Sequence, residues 1–379
     1  MPLHNQRSSL GILYLNFNQD ARCITIADAK GIKIYSIDTH KVCYAAELGA
    51  VSICEQLFCT SLLGWVGAGE QPVLTPRKLT LMNSTTQSVI QELSFPTSVL
   101  ALQINRKRLV VVLERRVYVH ALESLELLET LDTAPNAKGV CALTVCAKPC
   151  LLALPSSAAS GKLRIHDLLA GGGGSVLSEL AAHNLNVVAL AWNHDGTLLA
   201  SASAKGTVLR VHRMPAAAKQ TYSFRRGTRP AAIHSLAFSP ASVRPALLCA
   251  ASGRGTVHLY RLEEHERSPA VVAASGILAT VIPFGQSVGD SMDLPRCFAT
   301  LRLPCQAVPA ICAIHAASRR SSGDSEDASE CSAGDTKEVA VLVATAEGIL
   351  YEYAVRNLRA PHGPACALEQ ESFLLRADS

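Results

Sequence analysis

Apolar and polar residues alternate along this chain in short runs of seven or eight positions, each opened or closed by a turn-forming cluster. A period of two at that length predicts half-buried β-strands rather than helices. The clearest runs are GIKIYSI (31–37), RKLTLMN (77–83), RRVYVHAL (115–122) and GKLRIHDL (161–168). GTVLRVH (206–212), GTVHLYRL (255–262) and GILYEYAV (348–355) continue the series. No stretch sustains a 3.6-residue period, so the expected class is all-β.

Self-comparison turns these strands into an architecture. Residues 15–35 align without a gap onto residues 190–210, a shift of 175 that takes Asn18 onto Asn193, Asp20 onto Asp195 and Gly31 onto Gly206. LLASASAKGTVLRVHR (198–213) matches LLCAASGRGTVHLYRL (247–262) at a shift of 49. Four steps of about 44 residues make up the larger shift, within the period of roughly 40–45 typical of WD40-type propeller blades. The expectation is one seven-bladed β-propeller of WD40-like repeats over residues 1–379. Two stretches break the rhythm. Residues 263–294 open with charge and are apolar from Pro269 to Phe284. They form either a surface loop packed on its own blade or a loop that enters a lipid interface. Residues 318–338 are polar and acidic and predict a solvated, disordered loop.

Composition narrows the function classes. Lys and Arg number 35 against 31 Asp and Glu, a net charge of +4 that is too weak for a general nucleic-acid binder. Any basic site must be local. The thirteen cysteines form no CxxC pair, which predicts reduced, mostly buried thiols and no metal centre. No signal-peptide pattern and no uninterrupted apolar span appear, so a cytoplasmic protein is expected. The chain lacks a GxSxG elbow, a P-loop, HExxH and a dinucleotide fingerprint, so neither an enzyme nor a cofactor is expected.

The local basic site is Phe224-Arg225-Arg226-Gly227, set between two copies of the repeat. Neighbouring side chains of a strand point to opposite faces, so the two arginines address two sites. Each guanidinium is a permanent planar cation whose paired donors match phosphate oxygens. Adjacent like charges in an apolar blade require anions or acids nearby, which leaves bound phosphate and acidic side chains as the two candidates.

The run AHNLNVVALAWNHDGTLLASASAKGTVLRVHR, followed by YSFRRGT, IHSLAFSP and SGRGTVHLY, resembles the PROPPIN family, the phosphoinositide-binding seven-bladed propellers. The match is closest over residues 180–262. It implies recognition of phosphatidylinositol 3-phosphate and the 3,5-bisphosphate at two sites flanking the arginine pair. The matching positions of the first site are His183, Ser203, Thr207, Arg210 and Arg225. Those of the second are Arg226, Ser235, Ser252, Arg254, Thr256 and His258. The family usually carries Asp where this chain has Gly253 and often Lys where it has Arg254. Protonated His183 and His258 would favour binding at mildly acidic pH. The resemblance also implies membrane entry of the 263–294 insertion through Val271, Val272, Ile277, Leu278, Val281, Ile282 and Phe284. Implied partners are an autophagy lipid-transfer protein or a conjugation-machinery scaffold, on preautophagosomal, endosomal or vacuolar membranes. Plainer roles stand beside these. Ser203, Thr207, Ser252 and Thr256 suit turns, His183 suits an internal hydrogen bond, and His258 and Arg210 suit a solvated strand face. The competing function is a WD40-type protein-interaction scaffold whose arginines pair with acidic side chains.

Overall fold

The computed structural model describes residues 2–4, 8, 10–170, 176–214, 220–262, 294–305, 308–316, 338–360 and 363–375. The seven apolar insertion residues and the acidic run up to residue 337 lie outside these. The described strands form seven antiparallel sheets in chain order, the blades of a propeller. Their strands lie within 3–47 (blade 1), 51–94 (blade 2), 101–132 (blade 3), 142–183 (blade 4), 187–225 (blade 5), 233–302 (blade 6) and 310–373 (blade 7). Each blade is a four-stranded meander, and Leu3–His4 adds a fifth strand to blade 1 by pairing with Ile12–Phe17. All seven alternating runs read from the sequence are the third strands of these meanders. Among the described residues no helix is long and apolar enough to cross a membrane.

Position in the blade explains which strands alternate. Inner strands are covered by neighbouring blades on both faces, so Val51–Gln56 and Leu247–Ser252 are buried at every position. Outer strands meet water, and Lys41–Glu47 alternates between exposed and half-buried. Apolar side chains fill the seams: Leu209 and Phe224 of blade 5 pack with Ile233, Leu248 and Tyr260 of blade 6. At the ring's closure Ile12, Leu15 and Ile24 of blade 1 meet Ile311, Leu342 and Leu350 of blade 7. All four strands of blade 7 come from residues 310–373, and the first residues extend blade 1 instead. Among the described residues no strand is shared across this last seam, which closes through side chains, the apolar cluster and the His40–Glu352 pair.

The inner strands surround a cavity of about 340 Å³, lined by Asn16, Glu55, Gln103, Ser235 and Cys312 among others. Glu55 is 3% exposed and accepts hydrogen bonds from the Tyr14 hydroxyl and from Asn16 Nδ2, the latter at 2.6 Å. Burial pushes its carboxyl up to about 7, against the opposing pull of those two donors.

Candidate functional site

The arginine pair ends blade 5. Its outer strand, Gln220–Arg225, pairs with Val208–Arg213 so that Leu209 faces Phe224 and Val208 faces Arg225. Phe224 turns toward blade 6, its ring centroid 4.8 Å from that of Tyr260. Alternation then turns Arg225 the other way, to the face that Arg210 presents to blade 4. Arg226 follows the strand end, and its N–H donates to Thr207 O at 2.8 Å. Its side chain folds inward to 9% exposure, donating from Nε to Gly206 O at 2.6 Å and from Nη2 to Arg229 O. Strand alternation sends Phe224 and Arg225 to opposite faces, and Arg226, beyond the strand end, lies within the field of Arg254 and His258 of blade 6. Among the described residues neither Arg225 nor Arg226 pairs with a carboxylate.

On the blade 4 side, the Arg210 guanidinium donates to the Ala182 carbonyl. Beside it, His183 Nε2 and Ser201 Oγ are 3.0 Å apart. His183 is buried, and burial reinforced by the Arg210 charge pulls its imidazole down to about 3. His212 is held down to about 4 for the same two reasons. The adjoining turn closes through its backbone, Gly206 N donating to Ser203 O at 2.9 Å. Ser203 and Thr207 are both buried, at 8% exposure, and among the described residues their hydroxyls make no hydrogen bond. Gly206 itself is required. Its φ is +60°, and a Cβ there would lie 2.0 Å from Ala231 O.

On the blade 6 side a hydrogen-bonded chain runs from Ser252 Oγ to Thr256 Oγ1 at 2.9 Å and on to His258 Nε2 at 3.1 Å. His258 Nδ1 then meets Thr300 Oγ1 at 3.3 Å. His258 is 8% exposed, so it does not face solvent. Burial, then the Arg226 charge, lowers it to about 4. Burial and the Arg210 and Arg226 charges thus act against the protonated His183 and His258 expected from the sequence. Burial also lowers Arg226, and the exposed Arg254 pushes it in the same direction. Ser235 stands apart from this chain of hydroxyls: it is buried in the cavity lining, with no hydrogen bond to Ser252, Thr256 or His258. A bulge at Ile233/Ser235 brings His234 to the site instead, and a Cβ on Gly253 would lie 3.1 Å from His234 Nε2. An Asp at that position would need the imidazole to give way.

Comparison with known proteins decides the family. The PROPPIN family model matches residues 11–323. The chain belongs to the PROPPIN family. Autophagy-related protein 18b of Arabidopsis thaliana is 38% identical to this PROPPIN over 284 residues, 74% of this chain and 75% of its own length. Autophagy-related protein 18 of Dictyostelium discoideum is 34% identical over 323 residues, 80% of this chain and 84% of its own. Among solved structures, Kluyveromyces lactis Hsv2 matches with a TM-score of 0.70 at 16% identity, covering 95% of this chain and 98% of that one. KlAtg21, in a complex with the coiled coil of AgAtg16, matches with a TM-score of 0.68 at 23% identity, again over 95% and 98%. These structures share the seven-bladed fold.

Sequence reasoning missed two side chains that the PROPPIN fold brings to the blade 6 cluster. Thr300 lies beyond the long insertion, where no repeat match reaches, and only pairing of Thr256–Arg261 with Ala299–Arg302 sets it opposite His258. His234 precedes the Ser235 that the family pattern selects, and the bulge exchanges the two positions.

Proposed function

We propose that this PROPPIN is a phosphoinositide-binding membrane effector. It recognises phosphatidylinositol 3-phosphate, and the 3,5-bisphosphate, at two sites flanking Arg225 and Arg226, and recruits autophagy machinery to preautophagosomal, endosomal or vacuolar membranes. One observation carries this reading: Arg225 and Arg226 leave one strand end, Arg225 on the face that Arg210 presents to blade 4 and Arg226 within reach of the His258 cluster, with no carboxylate paired to either among the described residues. A phosphorylated inositol ring supplies the missing counter-charge and accepts from the nearby hydroxyls. The alternative is a protein-interaction scaffold whose arginines pair with acidic side chains; among the described residues of this chain no acid pairs with either arginine, and acids of a partner protein remain the competing counter-charge. The names of the relatives support the autophagy role, and the Atg21–Atg16 coiled-coil complex supports a coiled-coil scaffold as the partner class. The insertion would supply a third attachment, and three weak contacts on one rigid ring bind far more tightly than any alone.

Liposome flotation with phosphatidylinositol 3-phosphate tests this. Wild type should float and Arg225→Thr plus Arg226→Thr should remain in solution; equal flotation would sink the proposal. Replacing Ile277, Leu278 and Phe284 with Asp should reduce flotation while leaving soluble headgroup binding unchanged. Unchanged flotation would mean that the insertion packs on its own blade.

A further inference from the structure

The segment that re-enters blade 6 after the insertion also touches blade 5. Pro295 O accepts the Arg225 N–H at 2.9 Å, and residues 225 and 296 form an isolated parallel β-bridge. Bridge partners send their side chains off the same face of the ladder. Arg296 therefore stands beside Arg225 at the outer edge of blade 5, on the face turned to blade 4, although its sequence belongs to blade 6. Arg225 is half-buried and Arg296 exposed, and among the described residues neither has a carboxylate partner. Two parallel guanidiniums repel each other unless an anion lies between them. A phosphate monoester carries about −1.5 to −2 charge near pH 7 and has acceptor oxygens for two guanidinium forks.

We infer that Arg296 is a third arginine of the phosphate site on the blade 4 side, where it and Arg225 clamp one phosphomonoester. The clamp rests on the proposed function for its ligand, a phosphoinositide headgroup. It adds a consequence of its own. The bound phosphate fastens the end of the insertion to blade 5, so headgroup binding and the stem of the insertion become one structural unit. Thr207 and Ser203 then border a site whose cations come from two different blades.

Calorimetric titration with soluble short-chain phosphatidylinositol 3-phosphate, and with inorganic phosphate, tests the clamp apart from membrane insertion. Arg296→Ala should weaken headgroup binding about tenfold, the loss expected for one charge-assisted contact. Arg296→Lys should recover part of that loss, since it restores charge without the fork. Arg225→Ala plus Arg296→Ala should lose less than the product of the single losses, because the two side chains hold the same group. Arg116→Ala, on the surface of blade 3, should bind as wild type does. Wild-type affinity in Arg296→Ala beside a weakened Arg225→Ala would overturn the clamp and leave the parent reading standing. Wild-type affinity in Arg225→Thr plus Arg226→Thr would overturn both. Inorganic phosphate binding as tightly as the headgroup, with loss in Arg296→Ala, would support the clamp and name free phosphate as its ligand. Arg296 is exposed, so an unchanged melting temperature shows that each variant remains folded.

Discussion

His183, His212 and His258 are each buried within the field of Arg210 or Arg226, and both influences act against the imidazolium form. Their folded values of about 3, about 4 and about 4 lie below the unfolded value near 6.5. Between those limits the unfolded chain binds more protons, so stability is fully present above pH 6.5 and is lost as pH falls toward 4. Each such proton is worth about 1.4 kcal/mol per pH unit. Glu55 opposes this. With its carboxyl raised to about 7, the folded state holds a proton that the unfolded chain releases, which favours folding as pH falls from 7 toward 4.5. Burial lowers His4 and His234 as well and raises Glu129 in addition to Glu55, so five histidines against two carboxyls leave a net loss. Urea midpoints should decline from pH 7 to pH 5, and His258→Gln should flatten the decline by about one proton's worth of slope. A wild-type midpoint that is flat or rising over that range would mean that the imidazoles stay protonated in the fold.

Third strands were legible because their sequences alternate apolar and polar residues even where the middle is buried, as in Thr256–Arg261, whereas a second strand such as Leu247–Ser252 is buried throughout and reads as an apolar run. The repeat match also located the turn at Gly206, whose role is now physical. Its carbonyl receives Arg226 Nε, its φ is +60°, and its Cα lies against the Ala231 carbonyl. Thr300 and Arg296 were not legible, since backbone pairing brings them to the sites from beyond an insertion that no repeat spans. The turn allows a sharp comparison between two glycines close in sequence. Gly206→Ala would place a methyl 2.0 Å from a backbone oxygen at a left-handed φ, and should cost at least about 2 kcal/mol in chemical denaturation. A Cβ on Gly227 meets nothing within 4 Å, so Gly227→Ala should stay within about 0.5 kcal/mol. Equal losses would mean that the Gly206 turn relaxes without cost.

Blade number followed from the period of the repeat, but how the ring closes did not, because packing between blades leaves no periodic mark in either partner. Every seam is held by apolar side chains, and six of the seven are also tied by the chain passing from one blade to the next. The seam between blades 7 and 1 lacks that tie and, among the described residues, shares no strand, so only side-chain contacts resist its opening: the apolar cluster and the His40–Glu352 pair, Nδ1 to Oε1 3.2 Å. Leu342 at this seam and Leu209 at the seam of blades 5 and 6 are both 0% exposed, and truncating either should cost about 2–5 kcal/mol. The consequences should differ in reach. With Leu209→Ala, the link through residues 226–232 keeps the two blades at high effective concentration, and the seam recloses locally. With Leu342→Ala nothing covalent spans the gap, so partial opening should extend along both facing inner strands. Native-state hydrogen exchange should then show faster exchange across Ile12–Phe17 and Ala310–Ala316 in Leu342→Ala, while Leu209→Ala affects only the strands beside it. Equally local exchange in both variants would show that side-chain packing by itself holds the last seam as firmly as the tethered ones.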